Sequence, residues 1–172
     1  MVSLRPASCR ALLLSLILAG GCAGALGVQP GGITLETSAS DYVAIPDGAP
    51  GIPQRYFVEM VVAITNESGR PITLQGCAES DNTPRFAVSM AAVRNDWQSA
   101  YENAWSCLTP TYLTLAVGES RVDRIELSGP RSFDAFTGDP VGILEGRMRL
   151  VYYVDGVTVW SNPFDVALPD AP

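Results

Sequence analysis

The chain has 172 residues, of which 47% are hydrophobic and 17% are charged, with 16 glycines and 13 prolines. This length and composition predict one folded domain and exclude a collagen-like fibre or a wholly disordered chain. The sequence contains no histidine, and all 11 basic residues are arginines. It therefore excludes imidazole bases, imidazole metal ligands, lysine Schiff-base chemistry and a phosphate-binding P-loop.

Residues 1–21 have the pattern of an export signal. Arg5 and Arg10 precede the apolar run 11–19 (ALLLSLILA), which ends just before residues 20–22 (GGC). A basic start, a short apolar core and small residues after it are typical of a secretory signal peptide. The run is too short to cross a bilayer, which needs about 20 apolar residues.

The segment 18–22 (LAGGC) resembles the lipobox of bacterial lipoproteins. The resemblance implies cleavage before Cys22 and acylation of its thiol and new amino group, which would hold the chain stably at a membrane. Residue 23 is alanine rather than aspartate, which by the same resemblance implies an outer-membrane anchor facing the periplasm or the surface. The alternative is ordinary cleavage after Ala25, because residues 23–25 (AGA) have the A-x-A form. Residues 22–32 are Gly-rich and uncharged, and predict a flexible tether.

The net charge of −7 becomes still more negative when Arg5 and Arg10 leave with the signal. An acidic domain without a basic patch is repelled by DNA, RNA and anionic lipid. We therefore expect no nucleic-acid partner, and we expect the lipid rather than surface charge to hold the protein at a membrane.

Two cysteines, Cys77 and Cys107, are left after the signal cysteine and the acylation candidate. An even pair in an exported protein predicts a disulfide. Free thiols or a metal site are the alternatives, but two thiolates without histidine or CxxC spacing make a poor zinc site.

The remaining sequence, residues 33–170, has the alternation of β-strands and no apolar helix period over three turns. Asp155-Gly156 predicts a type I′ hairpin turn, and Pro163 predicts an edge or a bulge before the last strand. A change of parity between Val122 and Ile125 predicts a β-bulge. Together these features predict a single antiparallel β-sandwich of seven to nine strands. The ten candidate segments from which these strands would come are Ile33–Thr37, Tyr42–Ile45, Tyr56–Ile64, Pro71–Gln75, Phe86–Val93, Tyr112–Val117, Ser120–Leu127, Met148–Val154, Val157–Trp160 and Phe164–Leu168.

Trp97, Tyr101 and Trp105 follow the strand Phe86–Val93 in a predicted loop. Their spacing of four also fits one side of a short helix with Asp96 as its N-cap. If exposed, they would form a stacking surface for sugar rings or an aromatic patch for a protein partner. The alternative is that they cover one end of the core beside Cys107.

Catalytic and metal-binding patterns are weak. The acids are scattered, so no carboxylate pair is predicted as catalytic, and we expect no cofactor. Two acidic clusters suggest at most a loop Ca²⁺ site, although neither has Ca²⁺-loop spacing, and solvated turns are the simpler interpretation. The clusters are Glu79, Asp81 and Asn82, and Asp134 with Asp139.

The order of motifs over residues 56–168 resembles bacterial secreted immunoglobulin-like domains. It is similar in layout to the BsuPI type, named for an intracellular proteinase inhibitor. The resemblance implies an immunoglobulin-like sandwich, and Met148 departs from the aromatic residue that such domains often carry there. We expect a non-catalytic binding or structural module anchored in the envelope, with an envelope protein or a glycan as its partner. A protease inhibitor and a carbohydrate-binding module are the alternatives. The motifs that carry the resemblance are 64–74 (ITNESGRPITL), Cys77, Trp97, Cys107, 115–120 (LAVGES), 146–150 (GRMRL) and 161–166 (SNPFDV).

Overall fold

The structure, a computed structural model, describes residues 31–48, 54–78, 83–93, 96–102 and 107–169. Its regular elements there are β-strands, arranged in two main sheets that share one hydrophobic core. The predicted all-β sandwich is therefore confirmed. No helix in these ranges has the length and apolar character needed to cross a membrane.

The smaller sheet is built around the longest strand, β4. On one side of β4 the strands β1 and β3 lie end to end, and on the other side β9 pairs along almost its full length. The strand bounds are β1 Ile33–Thr37, β3 Ile45–Asp47, β4 Arg55–Asn66 and β9 Ser120–Gly129.

The larger sheet is built around β12. On one side lie β13 and β14, end to end; on the other lies β6, and β5 touches the end of β12 through one residue pair. Next come β7 beside β6, β8 beside β5 and β2 beside β14. The bounds are β2 Asp41–Val43, β5 Ile72–Cys77, β6 Phe86–Val93, β7 Asp96–Glu102, β8 Pro110–Leu115, β12 Gly146–Val154, β13 Val157–Trp160 and β14 Phe164–Ala167.

A small hairpin is added between β9 and β12. It consists of β10 Ser132–Phe133 and β11 Pro140–Val141. The described residues thus contain more and shorter strands than predicted, because several long edges are divided into two segments.

The predicted single strand Tyr42–Ile45 is wrong in detail, since the chain changes sheet within it. β2 belongs to the larger sheet and β3 to the smaller one, with buried Ala44 between them. β2 also pairs with β14 in parallel, a departure from the predicted all-antiparallel arrangement. Main-chain bonds from Asp165 N to Ser40 O (2.7 Å) and from Ala44 N to Ala167 O (2.9 Å) extend this pairing.

The alternation of β4 and β12 builds the core as predicted. Inward side chains of both strands are buried, because successive residues of a strand point to opposite faces of its sheet. The turn between β12 and β13 is also confirmed as type I′, with positive φ at Asp155 (48°) and Gly156 (80°). The buried residues of the two strands are Val58, Met60, Val62 and Ile64 of β4 and Met148, Leu150, Tyr152 and Val154 of β12.

The predicted bulge in β9 is wrong. The register between β4 and β9 runs without a shift, so Val122 lies on the outer face and is 64% exposed. The inward position next to it is occupied by Asp123, which is buried and held by Arg121, with Nε and Nη2 each 2.7 Å from Oδ1. A charged residue in an inward position, rather than an extra residue, breaks the apolar alternation.

The disulfide between Cys77 and Cys107 is present, with 5.7 Å between the two Cα atoms. It joins the end of β5 to the segment that leads into β8, directly beside the last pair of the β5–β8 ladder, Cys77 and Pro110. The predicted pairing is therefore confirmed.

The chain enters the sandwich at the end opposite to the β10–β11 hairpin. Ile33 pairs with Asn66 at one end of β4, whereas Tyr56 at the other end pairs with Gly129, just before the hairpin. At about 3.3 Å per residue, the 12 residues of β4 separate these ends by roughly 36 Å.

Candidate functional site

The outer face of the larger sheet carries a stack of three side chains. The guanidinium of Arg149 lies over the ring of Trp97, 4.4 Å from its centroid, and over the ring of Trp160, 5.0 Å from its centroid. We call Trp97, Arg149 and Trp160 the indole–arginine stack. On the same face, the guanidinium of Arg85 lies 4.8 Å from the ring centroid of Tyr153.

Four neighbouring strands position the stack. Trp97 belongs to β7, Arg149 to β12 and Trp160 to β13, while β6 lies between β7 and β12. Arg149 points outward because its neighbours Met148 and Leu150 are fully buried on the inner face.

Small side chains on β6 make the stack possible. The register places Ala91 opposite Trp97 and Ser89 opposite Arg149. The alternate β6 residues, Phe86 and Val88, are buried in the core. An indole on β7 can therefore reach across β6 to the arginine on β12, because no large outward side chain intervenes.

Arg149 makes no ion pair with any residue that the structure describes, and its Nε is buried without a hydrogen-bond partner. Burial lowers the pKa of this guanidinium from its ordinary value. Because an arginine stays protonated at neutral pH, the stack carries a positive charge, and no acid among the described residues forms an ion pair with it.

The predicted aromatic cluster is only partly described. Residues 96–102 form strand β7, so both the predicted loop and the alternative short helix with Asp96 as N-cap are wrong there. Pairing with the edge of β6 satisfies the backbone in a segment rich in strand-favouring aromatics. The register pairs Tyr101 with Val88 after a shift in the ladder. The side chain of Tyr101 and the whole of Trp105 lie outside the described residues, as does Cys22.

Sequence reasoning missed Arg149 and Trp160 as partners of Trp97. The signal was present in the alternation of β12 and β13, where Met148, Leu150 and Val159 are inward and buried. Arg149 and Trp160, which alternate with these buried residues, must then point outward. Which outward side chains contact each other, however, depends on the pairing of four strands.

No group of three or more acids or cysteines in the described residues could hold a metal ion, and these residues include the predicted pair Asp134 and Asp139. The Asp134 carboxylate instead accepts hydrogen bonds from the main-chain N–H groups of Phe136 and Thr137, both at 2.8 Å. These bonds, that of Thr137 first, lower the pKa of Asp134. Glu79, Asp81 and Asn82 lie outside the described residues.

The same bonds define a second surface feature at the β10–β11 hairpin. Phe136 at its tip is 98% exposed, while the surrounding main chain is fixed by Asp134. Beneath the hairpin lies a cleft of about 330 Å³ with an almost wholly apolar lining. Its lining residues are Gln54, Tyr56, Pro130, Phe133, Pro140, Ile143, Leu144 and Leu168.

No protein-family profile and no curated protein matches the chain. Distant likenesses exist among solved structures. A structural-genomics target solved by X-ray crystallography is 11% identical, with 80% of this chain and 88% of that chain covered and a TM-score of 0.42. The putative ApaA protein of Bordetella pertussis is 15% identical, with 81% of this chain and 95% of that chain covered and a TM-score of 0.38.

A β-glucosidase from Listeria innocua, solved with glucose, is 15% identical over 78% of this chain, with a TM-score of 0.38. The match spans only 16% of the β-glucosidase chain. At this distance none of these proteins indicates what the chain binds or does.

Proposed function

We propose that the protein is a non-catalytic binding module of the bacterial cell envelope, anchored through lipid on Cys22 and contacting its partner with the indole–arginine stack. The observation that carries the binding role is the contact of the Arg149 guanidinium with Trp97 and Trp160, without an ion pair to any described acid. Tryptophan and arginine are the residues that most often dominate the energy of binding surfaces.

The anchor is supported by the resemblance of residues 18–22 to a lipobox and by the place where the chain enters the sandwich. β1 begins at Ile33, beside Asn66, at one end of the fold. It belongs to the smaller sheet and therefore does not cover the outer face of the larger sheet. We infer an outer-membrane location from the alanine at position 23. We also infer an immunoglobulin-like topology, which the parallel pairing of β2 with β14 supports.

Fatty-acid labelling tests the anchor. Cells that express the full chain are grown with an alkyne fatty acid, and the purified protein is compared with the variant Cys22→Ala. We expect label in the parent and none in the variant. The double variant Cys77→Ala/Cys107→Ala is the control and retains the label. An unlabelled parent protein would overturn the anchor.

Co-sedimentation tests the binding face. The detergent-extracted protein is mixed with isolated cell-wall sacculi and outer-membrane fragments, and the bound fraction is measured. We expect Trp97→Ala/Trp160→Ala to lower the affinity at least ~10-fold, because loss of a central aromatic typically costs more than 1 kcal/mol. Val122→Ala, on the outer face of the other sheet, is the control. Equal binding by all three proteins, or no binding by the parent, would contradict the proposal.

A second candidate function is inhibition of a protease. It is favoured by the β10–β11 hairpin, whose tip presents Phe136 on a main chain held by the Asp134 carboxylate. Exposure of an apolar side chain on a rigid loop suits insertion into a partner's apolar pocket. Titration of proteases that cleave after aromatic residues tests this function. Inhibition at micromolar concentration that Phe136→Ser abolishes would support it, and no inhibition would dismiss it.

A further inference from the structure

Arg149 differs in its surroundings from five of the other described arginines. Arg70, Arg121 and Arg147 each have a carboxylate partner, at 2.9, 2.7 and 3.7 Å respectively. Arg55 and Arg124 are exposed and therefore hydrated. Arg149 is partly buried without either compensation, in a chain whose net charge is −7.

The two indoles compensate only part of the cost of burying this charge. A guanidinium over an aromatic face is attracted to the ring electrons, and Arg149 makes this contact with both Trp97 and Trp160. Of the donor atoms of this guanidinium, Nε is buried without an acceptor in the described structure. The N–H donors lie in the plane of the guanidinium, so a ligand that accepts hydrogen bonds from them approaches in that plane.

In-plane approach to a guanidinium is the geometry of a carboxylate that accepts two parallel hydrogen bonds. The same crowding argues against a neutral sugar stacked face-on, since the indole faces turned toward Arg149 are already occupied. What the indoles still offer is apolar edge and outer surface on both sides of the bound carboxylate.

The surroundings select a sugar acid over an acidic peptide. The stack lies on the face of a sheet, whereas extended peptides add to sheet edges through main-chain hydrogen bonds. A pyranose with one carboxylate brings a single charge to Arg149 and apolar C–H groups to the flanking indoles.

We propose that the indole–arginine stack binds a uronic acid unit of an envelope glycan, with the carboxylate on Arg149 and the sugar ring between the outer edges of Trp97 and Trp160. This inference rests on the proposed binding role of that face and names its ligand class.

Titration calorimetry of the full chain in detergent tests the ligand class. The probes are an oligogalacturonate of six residues, the same oligosaccharide after reduction of its carboxyl groups, and a glutamate hexapeptide. We expect binding of the oligogalacturonate to exceed that of the reduced form at least ~10-fold and to weaken with added salt. Equal binding of the acidic and reduced sugars, stronger binding of the peptide, or no binding of either sugar would overturn the inference.

Variants of two arginines on β12 provide the matched comparison. Arg149→Met should weaken oligogalacturonate binding about 10- to 100-fold, because it removes charge-assisted hydrogen bonds. Arg147→Met removes the same charge from the same strand, next to Asp165, and should change binding less than ~2-fold. Arg149→Lys should also bind weakly, since an ammonium lacks the planar pair of donors.

If the two methionine variants weaken oligogalacturonate binding equally, binding depends on nonspecific charge, and the assignment of the site to Arg149 is overturned. If Arg149→Met does not fold by circular dichroism, the comparison of acidic with reduced sugar on the parent protein decides alone. The co-sedimentation experiment is independent of these probes. If the protein binds sacculi through the stack but does not bind uronic acids, the proposed binding role is retained and the proposed ligand class is wrong.

Discussion

The side-chain amide of Asn66 donates a hydrogen bond to the main-chain oxygen of Leu115, 49 positions later, at 3.0 Å. The same amide group reaches the oxygens of Arg70 and Ala116, at 2.9 and 3.1 Å, and its oxygen accepts the N–H of Ser68 at 3.0 Å. Asn66 is fully buried, so one side chain satisfies the backbone of two turns that join different sheets.

We therefore expect Asn66→Ala to destabilise the protein by about 2–4 kcal/mol, because it leaves the buried main-chain oxygen of Leu115 and the partly buried main-chain groups of Ser68, Arg70 and Ala116 without this partner. Urea unfolding measures the loss. Ser68→Ala is the control, since it keeps the amide bonds and should cost about 1 kcal/mol or less. A loss below ~0.5 kcal/mol for Asn66→Ala would contradict this role.

Tyr152 predicts a specific alkaline sensitivity. Burial, and then the charge of Asp123, raise the pKa of its hydroxyl above the ordinary value, and this hydroxyl has no hydrogen-bond partner in the described structure. Above pH ~10 the unfolded tyrosine loses its proton while the folded one retains it. Stability is then lost as the pH rises.

Unfolding at pH 8.0 and 10.5 checks this effect with Tyr152→Phe. We expect the parent to lose about 0.8 kcal/mol more than the variant over this interval. Tyr112→Phe, at a position 71% exposed, should follow the parent. An identical fall in the parent and Tyr152→Phe would show that the buried hydroxyl is not responsible.

The unshifted register of β9 predicts that a polar substitution is tolerated at Val122 but destabilises the protein at Ile125. Val122 is 64% exposed and Ile125 is 4% exposed. Val122→Thr should change stability by less than ~0.5 kcal/mol, whereas Ile125→Thr should cost about 2–3 kcal/mol, since it buries a hydroxyl and loses apolar contacts. Thermal unfolding distinguishes the two, and a large loss at Val122 would restore the bulged alternative.

Loss of the Cys77–Cys107 disulfide should lower the free energy of unfolding by about 3–4 kcal/mol. The estimate follows from the chain-entropy model, applied to a sequence separation of 30. The double variant Cys77→Ala/Cys107→Ala tests it by urea unfolding, and Cys22→Ala serves as the control with unchanged stability. A loss below ~1 kcal/mol would contradict this estimate, as happens where the unfolded chain retains structure around the loop.

The correctly predicted elements are those that depend only on the alternation of apolar and polar residues within one strand. Met148, Leu150, Tyr152 and Val154 were placed inward without knowledge of any partner, because a half-buried strand requires that pattern. The pair Asp155-Gly156 also identified its turn without knowledge of any partner, because both residues adopt the positive φ that a type I′ turn requires.

The elements missed are those that tertiary pairing determines. Asp123 is tolerated in an inward position only because Arg121 reaches it. The change of sheet at Ala44 depends on β14, far away in sequence. For the same reason the sequence suggested that Trp97 belongs to an aromatic cluster, either exposed or packed on the core, but could not join it to Arg149, which lies two strands away.

Hydrogen bonds between the first and the last parts of the domain limit how early in synthesis the native state can form. Thr37 and Asn162, 125 positions apart, are joined by two hydrogen bonds, at 2.8 and 3.0 Å, close to where β2 pairs with β14. A nascent chain that emerges amino end first cannot make these contacts until almost all of it is free. Contacts between residues so far apart in sequence raise the contact order, so we expect the native state to form slowly and only after the last strand has been synthesised.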